Sequence, residues 1–197
     1  MIDNNISECI KLNRDYVENI VSSNQRKNIS KNTLDKILKE LSRNICAESN
    51  ITSISKNTQL SRETIYTYLD FLLDSNIIEY IYGWNTHIRS SANVKSLPKI
   101  NFTDQSFAIA ILNINEKKLY DDFNTLGFFF ESFVIKQLNV FCSLTDKKIF
   151  YYRDSDNVEV DCVIEDSGGE WIAIEIKLGS VEGIENGKKI YKNFITN

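Results

Sequence analysis

Histidine and proline each occur once in this 197-residue sequence, as His87 and Pro98. Chemistry that needs a histidine base would rest on His87 alone, which lies in a polar stretch from Gly83 to Ser91. The four cysteines, Cys9, Cys46, Cys142 and Cys162, include no pair at the C-x2-C or C-x4-C spacing of a zinc site. They read as reduced, mostly buried thiols. No apolar run approaches the roughly 18 residues that a membrane-spanning helix needs. The first ten residues, with Asp3, Asn4, Asn5 and Glu8, have neither the apolar core of a secretory signal nor the arginines of a transit peptide. A cytoplasmic protein with no membrane partner is therefore expected. The sequence also lacks G-x-x-x-x-G-K-[ST], so neither a nucleotide site nor ATP hydrolysis is expected of it. Positive charge is not in excess: 23 Lys and Arg face 27 Asp and Glu, for a formal net charge of -4. That excludes a strongly basic nucleic-acid binder at the level of the whole chain.

Apolar residues make up 42% and charged residues 25%, enough for a packed core. Charge is uneven along the chain. Residues 1–100 carry 13 basic and 11 acidic side chains, and residues 101–197 carry 10 and 16. A mildly basic first part and an acidic second part suggest two domains, 1–112 and 113–197.

The first part reads as helical. Residues 5–22 form one amphipathic pattern. A second helix starts at Asn32 as N-cap, with Leu34, Ile37, Leu38, Leu41 and Ile45 at helical spacing. Ile51 to Thr58 is a short helix, Gln59-Leu60 a turn, and Ser61 an N-cap for a helix over 61–74. Ile65, Leu69, Leu72 and Leu73 form its apolar side. Arg62, Glu63, Tyr66, Thr67 and Asp70 form the other. Ile77 to Tyr82 has strand composition, residues 83–99 are polar, Lys99 to Phe102 returns as a strand, and Thr103 caps a helix from Asp104 to Leu112. Short helix, turn, amphipathic helix and strand follow the order of a winged helix-turn-helix, with its core at 32–102. Arg62, Tyr66 and Thr67 would reach a DNA groove, with Arg89 and Lys95 on the wing. A purely structural three-helix unit is the other reading, because Glu63, Asp70 and Asp74 oppose phosphate binding.

The second part alternates helix and strand. Leu126 to Val140 is a long helix, with Phe129, Phe133, Val134, Leu138 and Val140 toward a core. The run Phe128-Phe129-Phe130 reads as core rather than as a stacking platform for bases. Ile149 to Arg153, Val158 to Ile164 and Trp171 to Lys177 read as three strands, the last two joined at Ser167-Gly168-Gly169. A polar helix follows Gly179. Two acids interrupt apolar strands: Asp161 in Val-Glu-Val-Asp-Cys-Val-Ile and Glu175 in Ile-Ala-Ile-Glu-Ile-Lys-Leu. Period-two alternation puts Glu175 and Lys177 on one face. Two carboxylates and an ammonium converging there would make a hard-oxygen site for a divalent cation, to which Glu131 could add a third carboxylate. An ordinary ion pair on a solvated strand face is the plainer alternative.

Asp161 followed by Glu175-Ile176-Lys177 resembles the PD-(D/E)XK signature of restriction-endonuclease-like nucleases. Leu126 to Val134, Tyr151-Tyr152-Arg153-Asp154, Glu159-Val160-Asp161 and Ile174 to Gly179, in that order, are similar to the C-terminal module of a prokaryotic AAA+ ATPase family. Residues 47–82 and 98–104 are similar to the winged-helix linker of those proteins. The resemblance implies Mg²⁺ or Mn²⁺ at Glu131, Asp161 and Glu175, with Asp161, Glu175 and Lys177 as the catalytic set and Lys177 assisting water attack. It also implies DNA as substrate and an AAA+ ATPase domain or protein as partner. The expected fold is α/β (α+β overall): a helical winged helix-turn-helix region, then a restriction-endonuclease-like α/β domain cut short at its C-terminal end. The alternative is a non-catalytic DNA-binding or docking module that acts with a separate or removed ATPase domain. Use of the helix-turn-helix alone, as a transcriptional regulator, is a third reading.

Overall fold

The computed structural model describes residues 3–23, 29–85, 97–154 and 158–179, with only the helical backbone at 3–7 and 21–23. His87, Arg89, Lys95 and the helix expected after Gly179 lie outside the described residues. Helix and sheet are mixed. Contacts divide the chain into two compact units, Met1–Glu79 with Ile100–Phe123, and Tyr80–Lys99 with Asn124–Asn197. This is not the single cut near residue 112 that the charge distribution suggests.

The first unit holds α1 (Asp3–Ser23), α2 (Lys31–Arg43), α3 (Ile51–Thr58), α4 (Arg62–Asp74), α5 (Gln105–Leu112) and α6 (Glu116–Asp121). Its helix starts are set by short polar side chains. Asn50 accepts from the Thr52 and Ser53 amides, Ser61 from Thr64, Asp104 from Ser106, and Asn115 from Lys118. Each such cap stabilises by about 1 kcal/mol. Two expected caps are corrected. Ser30, not Asn32, precedes α2, and it makes no side-chain cap bond. Asp104, not Thr103, caps α5. The Thr103 hydroxyl instead donates to the Asn76 carbonyl at 2.6 Å, because a longer-range acceptor lies within its reach.

Between α3 and α4 the chain turns at Gln59, whose φ of 60° is left-handed. The Ser55 hydroxyl closes the turn by donating to the Leu60 carbonyl. Leu34, Ile37, Leu38, Ile65, Leu69, Phe71 and Leu72 are buried, and each contributes about 1.5–3 kcal/mol on leaving water. Tyr68 is buried as well, although the apolar spacing did not single it out. Its hydroxyl accepts from the Ser30 amide at 2.7 Å, so its polar tip is satisfied. Helix α5 packs against α1 and α2, with Tyr16 stacked on Phe107 and Arg14 donating to the Ala110 carbonyl.

Strand β1 (Ile78–Gly83) begins in the first unit and ends in the second, and β2 (Lys99–Phe102) does the reverse. The second unit also contains α7 (Phe123–Ser143, from Asn124 onward), β3 (Lys147–Arg153), β4 (Glu159–Asp166) and β5 (Trp171–Ile174). Its strands lie in the order β1-β3-β4-β5. β1 is parallel to β3, and the other two pairs are antiparallel. Trp84, Val160 and Val163 form a core against Phe150, Tyr152, Val158 and Ala173. Trp84 explains why residues 80–99 belong here: its ring meets those of Tyr152 and Trp171, and its amide donates to the Tyr151 carbonyl.

Three expectations change in this unit. The last strand ends at Ile174, not Lys177. On α7, Phe129 is buried, but Phe133 and Val140 are 49% and 44% exposed. Phe128 is exposed too, so only part of the aromatic run is core. Apolar residues surround α7 on every side, and spacing alone therefore does not identify its buried face.

Candidate functional site

The site is built where β4 departs from regular pairing. Phe150 pairs with Val163 and Tyr152 with Val160. Between those pairs β3 advances by Tyr151 alone, while β4 advances by both Asp161 and Cys162. β4 therefore carries a bulge at Asp161, the kind of irregularity that re-aims a side chain. On its other edge β4 pairs Cys162 with Ile174. The next pair in that register would set Asp161 opposite Glu175. It does not form as a ladder. The Asp161 carboxylate instead accepts the Ile176 amide at 2.7 Å, and regular pairing stops there. A side chain has taken the place of a backbone acceptor.

Three of the four sequence-predicted site residues meet at this point. Lys177 Nζ lies 2.6 Å from Glu175 Oε1 and 3.4 Å from Asp161 Oδ2. Asp161 is 7% exposed. Glu175 Oε2 is buried and has no hydrogen-bond partner. Burial pushes the Glu175 carboxyl above its ordinary range, and the charge of Asp161 adds to this against the bond from Lys177. Burial disfavours the charged form of Lys177, but the bond to Glu175 and the charges of Asp161 and Glu175 outweigh it and raise its pKa. Lys177 is thus an ammonium here, suited to offsetting negative charge rather than to accepting a proton.

Glu131, on α7, is the fourth. Burial, followed by the charge of Asp161, pushes its carboxyl up to about 7, with Lys99 and Lys177 opposing. Its Oε1 lies 3.8 Å from Lys99 Nζ, which is itself 2.5 Å from Glu159 Oε1. Lys99 also lies over the Tyr151 ring, 5.2 Å from its centroid. Sequence reasoning missed both Lys99 and Glu159. Lys99 is 3% exposed. A lysine opening a short strand gives no sequence signal that it will be buried among acids. Cys162 adjoins the site but stays out of its chemistry, because burial and then the neighbouring Cys142 push its thiol up to about 12. Cys46 and Cys142 are also buried, Cys9 is exposed, and all four thiols are free.

The donors suit a small hard cation: carboxylate oxygens, one of them buried without a partner. Among the described residues no three Asp, Glu, His or Cys side chains gather into a set that could hold a metal ion by themselves. Mg²⁺ commonly takes only one or two carboxylates and completes its shell with water and phosphate oxygens. Asp161 and Glu175 fit that pattern.

Of the residues proposed for DNA, Arg62, Tyr66 and Thr67 lie on α4, and Arg89 and Lys95 fall outside the described residues. Tyr66 is 53% exposed. Arg62 is exposed and donates to the Thr52 hydroxyl at 3.0 Å, and Thr67 donates back to the Glu63 carbonyl.

A domain of unknown function, DUF8612, matches residues 5–118, more than half of the chain. The chain belongs to the DUF8612 family. Beyond the DUF8612 region, a second domain of unknown function, DUF4143, matches residues 126–195 and is known from AAA-ATPase-associated proteins. It contains Glu131, Asp161, Glu175 and Lys177. Similar curated proteins include the uncharacterized protein Mb2031c of Mycobacterium bovis and the uncharacterized protein Rv2008c of Mycobacterium tuberculosis. Each is 25% identical over 136 residues, 69% of this DUF8612 family member and 30% of the relative. The chain thus spans under a third of the length of the curated relatives it matches. No solved structure matches it significantly. No helix among the described residues is long and apolar enough to cross a membrane.

Proposed function

We propose that the second unit is a divalent-metal-dependent, restriction-endonuclease-like module that hydrolyses phosphodiesters in cytoplasmic DNA. One observation carries this reading: Asp161, Glu175 and Lys177 come together at the end of β5, with a buried carboxylate oxygen left unpartnered. Asp161 and Glu175 would hold Mg²⁺ or Mn²⁺, which supplies Lewis acidity toward a phosphate oxygen and lowers the pKa of bound water. Lys177, an ammonium, offsets the charge that builds up on the phosphate. Glu131 stands behind them as a carboxylate close to its own protonation point.

In this reading α3 and α4 serve as the helix-turn-helix of a winged helix, presenting Arg62, Tyr66 and Thr67 to the duplex, and an AAA+ ATPase acts with the chain. Incubating DNA with Mg²⁺ or Mn²⁺ tests it. Cleavage by the natural chain that is lost in Asp161→Ala and Lys177→Ala supports the proposal. Equal cleavage by all three, or cleavage by none, overturns it.

The non-catalytic docking reading draws on a different observation, the DUF4143 match and its association with AAA ATPases. Co-purification with an AAA+ ATPase, together with DNA left intact under every metal condition, would favour it.

A further inference from the structure

Lys99 places a positive charge beside Glu131, one of the three carboxylates that the sequence offers to a cation. It is 3% exposed, although lysine is almost never buried without a partner. Its Nζ reaches Glu159 Oε1 at 2.5 Å and Glu131 Oε1 at 3.8 Å, while the Tyr151 ring lies 5.2 Å from it. The two acids come from different elements, α7 and β4, and Glu159 stands two residues before Asp161 on β4. The cluster therefore has two halves. In one, Lys177 faces Asp161 and Glu175 from a side chain that is 40% exposed. In the other, Lys99 is buried, its side chain 4% exposed, between Glu131 at 14% and Glu159 at 37%. A divalent ion entering beside it would meet the charge of a lysine that is itself buried.

We propose that Lys99 is the resident counter-cation of the Glu131–Glu159 half, and that it limits the module to one divalent ion, held by Asp161 and Glu175. This rests on the cation reading above. It makes Lys99 a positioning residue: it holds Glu131 and Glu159 on its own ammonium, so that they do not recruit a second ion.

The test counts ions on the full chain, by titrating Mn²⁺ and following free Mn²⁺ by electron paramagnetic resonance, with folding checked by near-ultraviolet circular dichroism. The natural chain is expected to bind one Mn²⁺. Lys99→Gln, which removes the charge and keeps a donor for both acids, is expected to bind two. Lys99→Arg, which keeps the charge, is expected to return the count to one. Lys99→Met serves in place of Lys99→Gln if that variant does not fold, with the same expected count. Two ions in the natural chain, or one in a folded Lys99→Gln or Lys99→Met, would overturn the inference while leaving a cation site standing. No ion in the natural chain would overturn the cation reading itself, and the inference with it.

Discussion

At neutral pH the Glu131 carboxyl, pushed up to about 7 by burial and by the charge of Asp161, is divided between two protonation states. An unfolded chain would ionise the same group near 4.5. Between those values the folded protein binds the extra proton, so stability falls as pH rises through that window and levels off above it. Glu131→Gln should remove this slope and raise stability at pH 8 by about 1–3 kcal/mol, as read from urea unfolding at pH 5 and pH 8. Asp161→Ala should behave differently. It leaves the Ile176 amide without its 2.7 Å acceptor, at a cost of about 1–3 kcal/mol. It also removes a charge that repels Glu131 and Glu175. The net loss should therefore be larger at pH 5, where Glu131 is neutral, than at pH 8. A loss that does not change with pH would show that the three carboxylates do not feel one another.

At the scale of elements, the helix ends are the most accessible to experiment. Asn50→Ala and Ser61→Ala should each cost about 1 kcal/mol in thermal or urea unfolding, since each leaves helix amides uncapped. Gln59→Gly should stabilise by about 0.5–1 kcal/mol, because glycine adopts a φ of 60° without the steric penalty of a side chain. Ser61, the turn at Gln59 and the span of α3 are legible in sequence because each is set by a few neighbouring residues, whereas the caps at Asn50, Ser30 and Asp104 are not, since several short polar residues compete at each of those helix starts. The end of β5 was not legible. A run of Ile, Ala, Ile, Glu, Ile and Lys continues as a strand by local preference, and only the Asp161 carboxylate, 15 residues away, stops it. The bulge is hidden for the same reason. It depends on which residues of β3 face β4, and Val-Glu-Val-Asp-Cys-Val-Ile alternates too weakly to reveal it. Asp161, Glu175 and Lys177 were found because a charged residue within an apolar strand stands out. Lys99, beside Pro98 and at the end of a polar stretch, does not.

For the whole molecule, the path of the chain matters more than its length. Residues 80–99 belong with the second unit, although residues 100–123 separate them in sequence from the rest of it. A fragment of residues 113–197, cut where the charge changes, would lack Trp84 from the core, the β1 partner of β3, and Lys99. It would keep Glu131 and Glu159 without the lysine that pairs with both. That fragment should not fold. Near-ultraviolet circular dichroism should show no fixed aromatic environment, whereas the intact chain should give a strong signal from Trp84 against Trp171, whose ring centroids are 4.9 Å apart. A natively folded 113–197 would overturn the division into interleaved units.

The carboxylate that ends β5 also provides a spectroscopic handle. The Ile176 amide proton points at Asp161 Oδ2, so its nitrogen and proton resonances should lie downfield and move whenever that oxygen gains a proton or a cation. A single backbone peak, visible in an isotope-labelled sample without any substrate, would then report the occupancy of the acid pair directly.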